Sequence, residues 1–300
     1  MVRRISPDGS TRRPDVVATE EPLEIRITGG GSPVTAAVTA AVTGAVTGAV
    51  TAAVTAAVTA AVTMRTPGHD FELAVGYLFT EGLLTSPADL REVRYCVRAP
   101  DTGSMATPVQ EYNIVTVEVG SEVPVERLRR AAVTSSSCGL CGTDSIEHLS
   151  TATTALSVGS GPVVDAETVL AMPVALRAAQ PIFERTGGLH GVGLFTAAGT
   201  AVVVREDVGR HNAVDKVIGQ RLLSGRRGAS VEFDDLILVV SGRVSFEIVQ
   251  KAVMAGIAMI VAVGAPTSLA IDAAERLGCT LVGFVGDSSA NVYTHPQRVR

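Results

Sequence analysis

Three short apolar runs in the last quarter of the chain constrain its fold most strongly. They lie at 235–241, 259–263 and 280–285, and the first has Leu-Ile-Leu-Val-Val at its centre. Strands with near-continuous apolar residues are typical of a parallel sheet that is covered on both faces. Helical spacing between them, at 246–256 and 268–277, gives an alternation of strands and helices with right-handed crossovers. The sequence therefore predicts an α/β domain with a mostly parallel sheet.

Segments upstream of these runs extend the same domain, which we place at 134–300. The spacing of apolar residues predicts strands at 191–196 and 201–204, and helices at 173–180, continuing to 186, and at 212–223.

The preceding part, 20–133, is predicted to be a small α+β domain. Alternating residues at 21–29 and a returning segment at 61–66 indicate a hairpin, followed by a helix at 71–84 and strands at 93–97 and 112–119. Residues 1–19 are polar and are predicted to form a disordered tail.

A tandem tetrapeptide, Val-Thr-(Ala/Gly)-Ala, fills residues 34–63 without a charge. It is long enough for a membrane span, but it lacks the large apolar residues that lipid favours. Four residues are also too few for a solenoid repeat. In a helix, a period of four drifts against 3.6 residues per turn and buries no single face. We therefore interpret 34–63 as a low-complexity insert at a hairpin tip, where long insertions cost little.

Composition excludes several classes of protein. The 300 residues carry a net charge of −5 and few aromatic residues (4%), which argues against binding nucleic acid by phosphate neutralisation or base stacking. No apolar segment follows the basic N-terminus, so we expect no secretory signal, no membrane anchor and a cytoplasmic protein. Four cysteines in a chain of this length do not form a disulfide scaffold, and Cys96 and Cys279 lie in or beside apolar runs that predict core positions.

The other two cysteines are the clearest chemical signal. Cys138 and Cys141 lie in Ser-Ser-Ser-Cys-Gly-Leu-Cys-Gly, without bulky neighbours that would bury a thiol. A structural zinc would need two further ligands, which are not found nearby, and we predict no metal centre. Reversible dithiol chemistry and transfer of persulfide sulfur both remain open, and the small neighbours favour a thiol that moves between donor and acceptor.

A second signal is a set of polar turns directly after four predicted strands. The segment 205–216 contains Arg210 and His211 at a helix start, Arg243 follows the next strand, and Thr267 and Ser268 follow the third. Carboxyl ends of parallel strands meet at one edge of a sheet, so these residues and the last turn, 283–287, predict a ligand-binding rim for an anion. The alternatives are a solvated helix start with weak salt bridges, or ordinary loop punctuation. His190, in Thr-Gly-Gly-Leu-His, is a further candidate for this rim.

Together these motifs resemble the formate dehydrogenase accessory sulfurtransferase family (FdhD/NarQ), over about 21–295 apart from the repeat. The residues that carry the resemblance are Thr-Pro-Gly-His-Asp-Phe-Glu-Leu-Ala-Val-Gly-Tyr, Ser-Cys-Gly-Leu-Cys-Gly, Thr-Gly-Gly-Leu-His, Arg-Glu-Asp-Val-Gly-Arg-His-Asn-Ala-Val-Asp-Lys and Ser-Gly-Arg-Val-Ser-Phe-Glu.

The resemblance implies a sulfur carrier that takes persulfide sulfur from a cysteine desulfurase. The sulfur would pass to the molybdenum cofactor, bis(molybdopterin guanine dinucleotide), before this cofactor enters formate dehydrogenase. The cofactor would be a bound client, and the protein would hold no cofactor tightly of its own. The resemblance also implies a homodimer and a three-layer α/β domain similar to cytidine deaminase, although the chain lacks the His-x-Glu zinc signature of deaminases.

Mapped onto this chain, the resemblance makes Cys138 the persulfide carrier and Cys141 its assistant. The implied cofactor-binding stretch has no basic residue, unlike many relatives, and consists of Phe284, Val285, Gly286, Asp287, Ser288 and Ser289. Phosphates would be held by backbone N–H groups at helix starts and by Arg210 or Arg243. A non-catalytic chaperone for the cofactor and a thiol-disulfide oxidoreductase are the alternative functions.

Overall fold

The computed structural model describes residues 1–7, 9–29, 57–98, 109–121, 123, 155–157, 161–225 and 232–300. At its N-terminus, β1 (Val2–Ser6) and β2 (Gly9–Arg13) pair as an exposed antiparallel hairpin, which lies within the tail that the sequence predicted to be disordered over 1–19. Gly9 takes φ +128° beside the turn, where other residues would be strained. The hairpin contributes nothing to the buried core, so hydrophobic patterning could not predict it.

A four-stranded sheet follows, with strand order β4-β3-β6-β5. Its strands are β3 (Glu21–Gly29), β4 (Val58–Arg65), β5 (Leu90–Arg98) and β6 (Val109–Val119). The hairpin of β3 with β4 is confirmed, but β4 begins inside the tetrapeptide repeat, so the insert ends before residue 63. Ala60 and Ala61 are both buried there, because the register with β3 shifts between the pairs Ile25–Ala61 and Arg26–Thr59, and this irregularity interrupts the usual alternation.

Helix α1 (Asp70–Thr80) packs on this sheet and is shorter than the predicted 71–84. The helix ends where Gly82 adopts a left-handed conformation (φ +71°) and the N–H of Leu83 donates to the carbonyl of Leu78. A short 3₁₀ turn, Pro87–Asp89, then leads into β5.

The second half of the described chain forms a six-stranded sheet with strand order β12-β11-β10-β9-β7-β8. Its strands are β7 (His190–Thr196), β8 (Ala201–Asp207), β9 (Leu236–Val240), β10 (Met259–Ala262), β11 (Thr280–Gly283) and β12 (Asn291–Thr294). Only β9, β10 and β11 pair in parallel. The prediction of a mostly parallel sheet is therefore wrong outside the centre, because the four-residue turn between β7 and β8 is too short for a crossover.

Five helices accompany this sheet in the described residues: α2 (Ala166–Ala178), α3 (Pro181–Thr186), α4 (Arg210–Gly225), α5 (Phe246–Met254) and α6 (Ser268–Leu277). α6 matches its predicted bounds. α2 starts well before the predicted Pro173, which lies inside the helix. The helix tolerates this proline because Val169, Met172 and Leu176 bury a continuous face.

Alternation along the central strands gives the sheet two apolar faces and confirms a three-layer α/β arrangement. Leu236, Leu238 and Val240 of β9 lie in the large core with α4, α5 and α6, whereas Ile237 and Val239 lie in a second core with α2. The large core also contains Leu23, Ile25 and Ile27 of the small sheet, among others. The two halves therefore share one hydrophobic core. The domain boundary at 133/134 stays a prediction, because it falls outside the described residues.

α1 and α4 join the two halves at an unusually close crossing. A Cβ atom added to Gly76 would overlap the carbonyl of Asp215, and one added to Gly219 would overlap the carbonyl of Glu72. The two glycines thus bring the helix backbones into contact. No helix in the described part of the chain has the length and apolar character needed to cross a membrane.

Candidate functional site

The carboxyl ends of β8, β9, β10 and β11 lie at the same edge of the six-stranded sheet. β7 is antiparallel to both β8 and β9, so β8 runs in the same direction as β9, and β10 and β11 follow in parallel. We call the turns after these strands, at 208–211, 241–245, 263–268 and 284–289, the rim. The structure therefore brings the predicted polar turns together, as ligand sites in α/β sheets require.

Backbone hydrogen bonds tie three turns of the rim to one another. The N–H of Gly264 donates to the carbonyl of Gly242 at 3.1 Å, and the N–H of Phe284 donates to the carbonyl of Gly264 at 3.2 Å. A Cβ atom at Gly264 would lie 2.7 Å from the Gly242 carbonyl oxygen. Glycine is needed there because the two turns touch through their backbones, and the rim is consequently a preformed surface.

The last turn presents an aromatic ring to solvent in a strained conformation. Phe284 has φ +51° and is 53% exposed, although bulky residues rarely adopt the left-handed region. Val285 is different, because its side chain is buried in the second core and only its backbone belongs to the turn. Residues Gly286, Asp287, Ser288 and Ser289 are exposed.

Four basic or titratable side chains gather at the other end of the rim. His190 begins β7, and its ring lies 3.2 Å from the position that a Cβ atom of Gly242 would occupy. Burial, and then the positive charges of Arg210 and Arg243, lower the pKa of His190. Both effects favour the neutral imidazole of His190. The fourth side chain is His211.

His211 is held neutral even more strongly. Its Nε2 lies 3.2 Å from the hydroxyl oxygen of Ser245 and 3.8 Å from a carboxylate oxygen of Glu247. Burial, and then the charge of Lys251, lower its pKa to about 4. Beneath it, Lys251 Nζ donates to Asp215 at 2.9 Å and to Thr80 at 2.9 Å in the interior. The rim thus combines two fixed positive charges with two neutral imidazoles.

The donor set of the rim fits an anionic group. The Nε atom of Arg210 is buried and has no hydrogen-bond partner among the described residues, so it is a donor left for a ligand. Arg243 and Ser268 are exposed. Thr267 caps α6, and its hydroxyl accepts from the N–H of Ala270 at 3.2 Å. Phosphate oxygens suit such guanidinium, hydroxyl and backbone N–H donors.

The remaining residues of the 205–216 segment serve the interior instead. Arg205 pairs with Glu72 of α1, and the carboxylate of Glu206 accepts from the N–H groups of Ile182 and Phe183 at the start of α3. The sequence places these charges after a strand, but β8 extends to Asp207 and includes them. Arg205 therefore connects β8 to α1, and Glu206 connects β8 to α3.

Two contributors to the site were missed by the sequence reasoning. Lys251 lies on the buried face of α5, between Val249 and Val253. A lysine at an apolar position of a helix indicates a buried charge with a partner, and this pattern could have identified it. Thr66 shows no comparable signal, because its role depends on contacts with residues far along the chain.

The two cysteines of the C-x-x-C pair, Cys138 and Cys141, lie outside the described residues. Cys96 is half-buried, with its sulfur 3.2 Å from the hydroxyl of Thr116. Burial raises the pKa of the Cys279 thiol to about 12, which makes it a poor nucleophile. No group of three or more His, Cys, Asp or Glu side chains in the described ranges is arranged to hold a metal ion.

Comparisons with known proteins agree with the motifs. The profile of the FdhD/NarQ family matches residues 50–300. The chain is 42% identical to "Sulfur carrier protein FdhD" of Nocardia farcinica, covering 100% of this chain and 93% of the relative. It is 44% identical to the protein of the same name from Streptomyces coelicolor, over 99% of this chain and 94% of the relative.

A solved structure shows the same fold. The crystal structure of a protein described as a formate dehydrogenase accessory protein, from Desulfotalea psychrophila, superposes with a TM-score of 0.67. The two sequences are 23% identical, and the alignment covers 100% of this chain and 97% of the other.

Proposed function

The chain belongs to the FdhD/NarQ family, and from this premise we propose that it is a sulfur carrier that serves the maturation of formate dehydrogenase. Its Cys138 accepts persulfide sulfur from a cysteine desulfurase. It passes this sulfur to a molybdenum cofactor that carries guanine dinucleotides, and it works as a cytoplasmic homodimer.

One observation carries this proposal: a C-x-x-C pair in a chain more than 40% identical, over nearly its whole length, to curated sulfur carriers. The rim supports the cofactor half of the proposal. Its free Arg210 donor and the exposed Arg243 suit the phosphates of a dinucleotide, and the exposed ring of Phe284 offers a face on which a purine can stack.

The first chemical step is an exchange between persulfides. The Cys138 thiolate attacks the terminal sulfur of the desulfurase persulfide, the sulfur–sulfur bond of the donor breaks, and the desulfurase cysteine leaves as a thiolate with the electron pair. One sulfur–sulfur bond forms as another breaks, so no external oxidant or reductant is needed.

Delivery of the sulfur requires two electrons, and Cys141 supplies a route for them. Its thiolate attacks the Cys138 sulfur that is bonded to Cβ, the persulfide bond breaks, and the terminal sulfur leaves as hydrosulfide toward the molybdenum substrate. The two cysteine sulfurs are oxidised to a disulfide as the transferred sulfur is reduced. A cellular dithiol reductant then restores both thiols.

Intact mass spectrometry after incubation with a cysteine desulfurase and cysteine tests the carrier step. The wild-type chain should gain the mass of one sulfur atom, and Cys138→Ser should not. Cys96→Ser is the matched control and should gain it, because Cys96 packs within the small sheet. Treatment with dithiothreitol must remove the added mass, since two oxygen atoms of a sulfinic acid weigh nearly the same but resist thiol reductants. Unchanged labelling of Cys138→Ser would refute the proposal.

The donor set of the rim also favours a second candidate, a chaperone that binds the cofactor without carrying sulfur. In that case, Cys138→Ser would still support formate dehydrogenase maturation, whereas Arg210→Ala would not. The carrier proposal expects neither variant to support maturation of formate dehydrogenase. It also expects only Arg210→Ala to lose affinity for GDP, which serves as a probe for the guanine nucleotide part of the cofactor.

A further inference from the structure

One threonine, directly after β4 of the small sheet, contacts the end of β8, the β8–α4 turn and α4 through three separate groups. The N–H of Thr66 donates to Asp207 Oδ2 at 3.1 Å, and its hydroxyl oxygen accepts from the N–H of Val208 at 3.1 Å. Its carbonyl accepts from Lys216 Nζ at 2.9 Å. Thr66 is 5% exposed and lies 142 positions before Val208. Thr66 therefore holds the β8–α4 turn from a position directly after β4, far away in the sequence.

Buried charges complete this contact. Lys216 Nζ lies 2.6 Å from Asp207 Oδ2, and both side chains are almost fully buried. The other oxygen of Asp207 accepts from the N–H of Gly209 at 2.9 Å. Asn212 donates to the carbonyl of Met64 at 2.7 Å, which adds a second connection to β4. We call Thr66, Asp207, Asn212 and Lys216 the clasp.

The clasp satisfies both N–H groups of the turn that precedes Arg210. The N–H of Val208 is bound by Thr66, and the N–H of Gly209 is bound by Asp207. The next two residues, Arg210 and His211, are the ones that α4 contributes to the rim. Their backbone positions depend on the clasp, although Thr66 itself lies outside this sheet, directly after β4.

We propose that Thr66 is a positioning residue for the rim: its hydroxyl orients the β8–α4 turn so that Arg210 and His211 face the ligand. The nature of that ligand, a guanine nucleotide, rests on the proposed function. The proposal gives Thr-Pro-Gly-His and the 205–216 segment a shared role, because Thr66 of the first contacts Asp207, Val208 and Lys216 of the second. The two segments together form the buried contact that positions Arg210 and His211.

Two substitutions of Thr66 isolate the hydroxyl. Thr66→Val keeps the shape and both backbone contacts but leaves the N–H of Val208 without its acceptor, whereas Thr66→Ser restores the acceptor. Thr294→Val is the matched control, because Thr294 is also buried and its hydroxyl also accepts from a backbone N–H, that of Leu281 at 2.9 Å, at the end of β11 opposite the rim. A general loss of stability would appear in the control as well.

Two measurements on the full-length protein decide the proposal. Hydrogen exchange is followed in peptides covering 207–212, and the affinity for GDP is measured by calorimetry. Thr66→Val should exchange faster in this segment and bind GDP roughly tenfold more weakly, as expected when a buried hydrogen bond is lost. Thr66→Ser should return both values toward wild type, and Thr294→Val should leave both unchanged.

Wild-type exchange and affinity in Thr66→Val would overturn the proposal, as would equal effects of Thr294→Val. If the wild-type protein binds no GDP, the nucleotide part of the proposed function fails. Hydrogen exchange still decides the positioning role in that case: faster exchange that serine rescues supports it, and unchanged exchange refutes it.

Discussion

The crossing of α1 and α4 makes Gly219 the position where the smallest substitution should have a large effect. Replacement by alanine in an exposed helix raises stability by about 1 kcal/mol, because glycine is a poor helix former. At Gly219 the added Cβ atom would overlap the Glu72 carbonyl and lie 2.8 Å from the backbone nitrogen of Gly76. Both are backbone atoms, so the helices must separate.

Overpacking of this kind costs about 3 kcal/mol, which exceeds the gain in helix propensity. Gly219→Ala should therefore lower the free energy of unfolding by about 2 kcal/mol and lower Tm by roughly 4–8 °C in thermal unfolding followed by circular dichroism. The neighbouring Gln220→Ala, which loses only a side-chain bond to Ser224, is the control and should change Tm little. An unchanged or raised Tm of Gly219→Ala would show that the two helices do not cross as closely as described.

Two further substitutions test the buried charges and the neutral histidine. Lys216→Met leaves the Asp207 carboxylate buried without its cation and should lower the free energy of unfolding by about 3–5 kcal/mol in urea titrations. Adding Asp207→Asn should recover part of the loss, and a strictly additive double variant would contradict the pairing. The folded pKa of His211, about 4, lies below its unfolded value near 6.5, so its contribution to stability is present above pH 6.5 and is lost as pH falls through 4. His211→Gln should therefore flatten the fall in Tm between pH 6.5 and 4, and an identical pH profile would refute this.

The sequence predicted the elements whose stability comes from a continuous buried face. β3 and α6 match the expected bounds, because alternation and helical spacing specify them locally. The direction of β7 did not follow from its own residues. Its hairpin with β8 and its pairing with β9 depend on a turn length and a sheet order that periodicity does not encode.

The candidate site divides in a similar way. The rim was predictable because strand ends are marked by glycine and polar residues, and parallel strands bring those ends together. The clasp was not, because the side chain of Asp207 is an equally good candidate for a ligand or for an internal partner until Lys216 is placed beside it. Spacing along one segment shows which charges are close in sequence, and only the folded structure shows which of them are already paired.

The pairing of buried charges explains why the 205–216 segment contains so many charged residues. A run of alternating charges that opens a helix would normally be solvated, and its salt bridges would contribute little. Here the neighbouring elements cover it, so each buried charge must have a partner or destabilise the fold. Asp207 finds Lys216, Asp215 finds Lys251, and Arg205 finds Glu72. Arg210 keeps a buried donor without a partner in the described residues, and it lies where the rim opens. Of the charged residues in the segment, Arg210 is therefore the one whose hydrogen bonding a bound anion would complete.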